Sequence, residues 1–146
     1  MKIAEIKLSY SDTNKTGTSI CSSKDAYRVF SNFWDKETIE LFEEFNIILL
    51  KHSCEVLGVV TISKGGVAGA YVDCKLIFSA ALKCNASSII LGHNHPSGNL
   101  KPSPQDLRLT RKIEEGSKVL DLKILDHIIV SKEGFYSFKD EGQMHY

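Results

Sequence analysis

At 146 residues the chain suits one domain with one core, with room for a short extension. Its 18 basic and 18 acidic side chains cancel, so no global positive field draws it to nucleic acid or to an anionic membrane. Apolar residues at 42% and charged residues at 25% are an ordinary globular balance, and no apolar run approaches spanning length. Met1-Lys2 leads into an alternating stretch without the apolar core of a signal peptide, so the expectation is a cytoplasmic protein with no membrane partner. Cys21, Cys54, Cys74 and Cys84 show no Cys-x-x-Cys spacing. In a reducing compartment they read as small buried hydrophobes or idle thiols, not as disulfides or metal ligands.

Residues 3–10 (IAEIKLSY) alternate as an edge strand does, and residues 11–19 read as a polar loop. Ser22 or Ser23 caps a helix running to about Trp34, with Asp25 in its first turn. Tyr27, Phe30 and Trp34 share one side of it, a stripe that packs onto a main domain. Residues 1–36 are accordingly set apart as a strand and helix extension, and 37–146 as the main domain. A short turn around residues 39–42 leads into Glu43 and Glu44, then a run to Leu50 that becomes continuously apolar and so belongs at the centre of a sheet. His52-Ser53 turns the chain into a hairpin partner over residues 54–63.

Residues 64–70 are dense in glycine but lack the lysine that follows the glycines of a phosphate loop. They read as a turn of close backbone approach, with the flank of a substrate groove as the alternative. Asp73 opens a helix with Leu76, Ile77, Ala80, Ala81 and Leu82 on its apolar face, followed by a buried strand over residues 86–91. Ser103-Pro104-Gln105-Asp106 opens another helix. Ser103 is its N-cap, Pro104 its first position, Asp106 lies in its first turn, and Leu107, Leu109, Thr110, Ile113 and Val119 follow among charges. Strands over residues 120–130 and 134–138 complete the chain. Strands interleaved with helices, partly in hairpins, predict an α/β fold with a mixed sheet sandwiched by helices, not a Rossmann fold.

The chemistry concentrates between Leu91 and Asp106 (LGHNHPSGNLKPSPQD). Residues two apart on a strand point to one side, so His93 and His95 can present their imidazoles to a single point. Asp106 brings a carboxylate to the loop that returns to them. Two imidazoles, one carboxylate and room for a water make a zinc site with an open fourth position, the arrangement of a catalytic centre. A lone His-x-His pair says little of metal; its company adds to it, with seven residues between His95 and Ser103 and two between Ser103 and Asp106. That string resembles the signature of the JAMM (also called MPN or JAB) metal-dependent peptidases. His-Asn-His-Pro-Ser-Gly, with Leu125-Asp126-His127-Ile128-Ile129-Val130 downstream, is closer still to the RadC branch. The resemblance runs over residues 43–142 and implies a JAMM/MPN-like, cytidine-deaminase-like fold.

Zn2+ held by His93, His95 and Asp106 lowers the pKa of a bound water from about 15.7 toward about 7. Hydrolysis also needs a group to move the water's proton to the leaving amine. In similar proteins a glutamate at the start of an upstream strand has that role. Glu43, followed at two residues by Phe45, fits the family spacing best and Glu44 is the alternative. The pair point to opposite faces of a strand, so only one can serve. By themselves both read as solvated charges. Ser103 has two readings, a helix cap from its position and an oxyanion donor from the resemblance. Pro96 and Gly98 shape the loop, and Asn94 hydrogen-bonds backbone. His127, between apolar residues, reads as a satisfied buried histidine, with orienting a metal ligand as the alternative.

The leading expectation is a zinc-dependent metallohydrolase of peptide or isopeptide bonds. The alternatives are a DNA repair or recombination accessory, which the family label implies and the charge balance does not support, and a non-catalytic MPN interaction domain.

Overall fold

The computed structural model describes residues 1–7, 9–12, 17–65 and 70–145. Two runs without polar relief, residues 47–50 and 89–91, cannot face water on either side. They lie in β1 (Glu44–Leu50) and β3 (Ser88–Asn94), every residue of which is buried. β1 pairs antiparallel with β2 (Val56–Lys64) and with β3. β3 pairs parallel with β4 (Lys123–Val130), which pairs antiparallel with β5 (Phe135–Ser137). The sheet order is β2-β1-β3-β4-β5, mixed as the sequence predicts.

The two-residue period of a strand sorts the core into two layers. Ile48, Leu50, Ile90, Ile128 and Val130 face α1 (Ser23–Phe33) and its Phe30, with Trp34 beside them. Ile47, Leu49, Ile89, Leu91 and Ile129 face the other way, against Ile77 and Ala81 of α2 (Cys74–Lys83) and Ile113 of α3 (Pro104–Val119). Each such side chain contributes on the order of 1.5–3 kcal/mol of burial. The aromatic stripe packs as expected: Tyr27 stacks on Phe135 at 4.7 Å and donates its hydroxyl to the Ser131 carbonyl. Gly92 admits this packing, because a Cβ there would lie 2.5 Å from the Phe30 ring.

Several expectations need correction. Residues 3–7 and 9–10 form no strand, and Ile3 and Ile6 are 81% and 88% exposed. Alternation makes a strand only where a sheet edge accepts its backbone. The N-terminal segment instead meets the chain just ahead of β2, at the isolated Ser19–Glu55 bridge. The stripe of α2 runs through Cys74, Ile77, Phe78 and Ala81, leaving Leu76 and Leu82 half exposed one position to either side. Val119 ends α3 beyond the sheet and is exposed. β4 starts at Lys123, since Leu120 caps α3 and Asp121 turns at φ 53. Of the four free thiols, Cys74 and Cys84 pack partly buried against the core, Cys54 is half-buried and Cys21 is exposed. The glycine-dense bend falls largely at residues 66–69, outside the described residues. Among the described residues no helix is long and apolar enough to cross a membrane.

Candidate metal centre

β3 runs three residues further than its apolar stretch, so His93 sits inside the strand and is 1% exposed. His95 follows just past the strand end. There Pro96 opens a turn that Gly98 completes at φ 77, its N–H bonding the His95 carbonyl at 2.8 Å. The loop holds His95 by its own backbone: Nδ1 lies 2.6 Å from the Asn99 carbonyl. A carbonyl only accepts, so Nδ1 carries the proton and Nε2 offers a lone pair.

At the loop's far end Ser103 caps α3 in a capping box. Its hydroxyl accepts from the Asp106 N–H at 3.1 Å, and Asp106 Oδ2 accepts from the Ser103 N–H at 2.7 Å. That reciprocal bond orients the Asp106 carboxylate toward the histidines. His93 Nε2 and His95 Nε2 stand 3.0 Å apart; His93 Nε2 lies 3.3 Å from Asp106 Oδ1 and His95 Nε2 lies 3.3 Å from Asp106 Oδ2. Zinc bonds of about 2.0–2.1 Å set tetrahedral corners about 3.3 Å apart, so these donor atoms have the spacing of three ligands to one small cation.

Glu43 comes from just ahead of β1. Phe45 pairs with His93 across β1 and β3, and Glu43, two residues before Phe45, lies on the same side. A Glu43 oxygen and the ligand atoms of His93, His95 and Asp106 all fall within 4.8 Å of one another, a group that can hold a metal ion. Glu44 faces away, buried, and pairs with Lys64 at 3.2 Å. Glu43, His93, His95, Ser103 and Asp106 line one cavity of about 340 Å³, with Phe45, Val72 and Leu109 as apolar wall.

Asn94 binds backbone, as expected, and the backbone it binds is the approach to Glu43. Its Oδ1 accepts from the Glu44 N–H at 2.7 Å, and its Nδ2 donates to the carbonyls of Ile39 and Phe42. The residue between the two histidines thus pins the turn that delivers the glutamate.

The electrostatics favour a cation. Burial pushes the Asp106 carboxyl up, but its contacts with His93, His95 and the Ser103 N–H outweigh that and hold it well below the usual carboxylate range. His95 is raised, chiefly by its bond to Asp106. Behind the site, His127 is fully buried, with Nε2 2.7 Å from His93 Nδ1 and Nδ1 2.6 Å from Thr110 Oγ1. Burial, then the neighbouring His93, push it well below the ordinary histidine value. His127 is therefore both the satisfied buried histidine and a direct partner of His93. The contact with Thr110 was missed from sequence; its one signal is that Thr110 lies a helical turn after Asp106.

A family model described as the RadC-like JAB domain matches residues 20–143. The chain belongs to that family. It is 43% identical over 123 residues to a UPF0758 protein of Flavobacterium johnsoniae, covering 84% of this chain and 52% of that one. A UPF0758 protein of Porphyromonas gingivalis is 39% identical over 125 residues, covering 85% and 54%. Another of Alkaliphilus metalliredigens is 38% identical over 132 residues, covering 86% and 57%. This RadC-like JAB domain thus spans about half the length of the relatives it matches. The match begins ahead of α1 and takes in all five strands and the whole candidate metal centre.

Proposed function

We propose that this RadC-like JAB domain is a zinc-dependent hydrolase of peptide or isopeptide bonds, with Glu43 as general base. The observation that carries the reading is the convergence of His93 Nε2 and His95 Nε2, 3.0 Å apart and each 3.3 Å from a different oxygen of Asp106, faced by the Glu43 carboxylate from just ahead of β1. Two imidazoles and a carboxylate suit zinc among the divalent ions. When bound, zinc supplies a Lewis acid that makes water a usable nucleophile near neutral pH.

The chain's own residues supply the rest. A Glu43 carboxylate oxygen takes a proton from the attacking water and hands it to the departing nitrogen, base first and acid afterwards. Ser103 Oγ accepts from the Asp106 N–H and keeps its own hydrogen for an oxyanion in the cavity. Phe45, Val72 and Leu109 present the apolar side of the cavity to substrate.

The test is a set of three variants assayed on fluorogenic peptides and lysine-ε-linked isopeptides. Wild-type chain is expected to hold one zinc, and His93→Ala or Asp106→Ala to lose it. Glu43→Gln is expected to keep zinc while turnover falls about 10²–10⁴-fold. Undiminished turnover in Glu43→Gln defeats the assignment of the base. Tight, salt-sensitive DNA binding without any hydrolysis would favour the repair-accessory reading.

A further inference from the structure

We infer that His127 is a positioning residue: a one-way chain of hydrogen bonds from α3 through Thr110 and His127 fixes which ring nitrogen His93 turns to the metal centre. The inference takes its purpose from the metal-centre reading above, but its geometry stands without it.

The direction follows from counting protons. Thr110 Oγ1 lies 2.7 Å from the Asp106 carbonyl oxygen, which can only accept, so the single hydroxyl proton is used there. His127 Nδ1, 2.6 Å from the same Oγ1, must then be the donor. A neutral imidazole has one donor and one acceptor, so His127 Nε2 accepts. His93 Nδ1, 2.7 Å from it, donates. His93 Nε2 is left bare, facing His95 Nε2 at 3.0 Å and Asp106 Oδ1 at 3.3 Å. Nothing in this order is set by His93 itself; it begins at a main-chain carbonyl.

The surroundings keep the chain from reversing. His127 is 0% exposed, stacked on Phe138 at 4.4 Å and edge-on to Phe45 at 5.6 Å, so water cannot supply another partner. Its burial favours the neutral ring. Metal-binding histidines are commonly oriented by a carboxylate or a backbone carbonyl. Here a neutral imidazole orients His93 without adding a second negative charge beside Asp106. The anchor is also the ligand's own helix: Asp106 supplies a carboxylate to the site and, through its carbonyl, the origin of the relay that aligns His93.

The deciding measurement is the tautomer of His127, read from two-bond ¹⁵N–¹H correlations at neutral pH in metal-free and zinc-loaded chain. The expected result is a protonated Nδ1 and a bare Nε2 in both. An Nε2–H tautomer, or an imidazolium, overturns the inference whether or not the chain binds zinc. Thr110→Val removes the hydroxyl at the head of the relay. It is expected to release the His127 tautomer and weaken zinc, measured by chelator competition, about 10–100-fold. Thr110→Ser keeps the hydroxyl and is expected to restore both. A Thr110→Val chain with unchanged tautomer and affinity also overturns it. Absence of hydrolysis with the expected tautomers would defeat the proposed activity and leave this inference standing.

Discussion

His93 and His95 reach one point by different means. His93 lies inside a central strand at 1% exposure, and its ring is held by a side chain from β4 that is held in turn by one from α3. His95 lies past the strand end, partly exposed, and its ring is held by the Asn99 carbonyl of its own loop. One histidine is oriented by a contact 34 residues away and the other by a contact four residues away. The first is therefore tied to the stability of the whole core, the second to one turn.

Breaking that contrast should give its largest effect in metal-free chain. His93→Ala leaves the buried His127 Nε2 without a donor, at a cost of about 1–3 kcal/mol before any loss of packing. His95→Ala is expected to stay within about 0.5 kcal/mol of wild type, because its ring reaches water. Urea denaturation in chelator compares the two, and equal losses would erase the distinction. Next is Gly92→Ala, whose methyl would lie 2.5–2.9 Å from the Phe30 ring atoms and push α1 from the strand that carries His93. Overpacking of this kind costs about 1–3 kcal/mol. Thermal unfolding should show it, with the turn behind His95 undisturbed in amide chemical shifts.

Gly98→Ala is the opposite probe. At φ 77 a side chain costs about 1–2 kcal/mol, so this variant should disturb the loop holding His95 and weaken zinc while leaving the His127 tautomer intact. The smallest effect is the pH profile of metal-free stability. His95 is raised by Asp106, so its stabilisation is full below the ordinary histidine value of about 6.5 and is lost as pH rises through the raised one. His127 is lowered by burial, so the folded chain loses stability as pH falls below about 6.5, where only the unfolded chain takes up that proton. The denaturation midpoint should thus fall on both sides of about pH 6.5. His95→Gln is expected to flatten the alkaline limb and His127→Gln the acid one.

The parts of this protein that could be read early are those decided within a few residues or by a period. Ser103, Pro104 and Asp106 cap a helix through atoms three residues apart, and the alternation of a strand aims His93 and His95 to one side. Apolar runs placed β1 and β3 at the centre, because no one-sided packing could cover them. The same local logic failed at residues 3–7 and 9–10. Their alternation is as good as that of a strand, but a strand also needs an edge to take its N–H and C=O groups, and that is not a local property.

The amino-acid order by itself determined the α/β alternation, the capped helix behind the loop and the three candidate ligands, since propensity, capping and periodicity act over one to a few turns. Only the tertiary structure decided that Glu43 and not Glu44 turns to those ligands, that Asn94 grips the approach to it, and that Thr110 and His127 stand behind His93. Each of those depends on which strands lie side by side and in what register. Register is settled by burial summed over the whole core, which no short stretch of sequence contains.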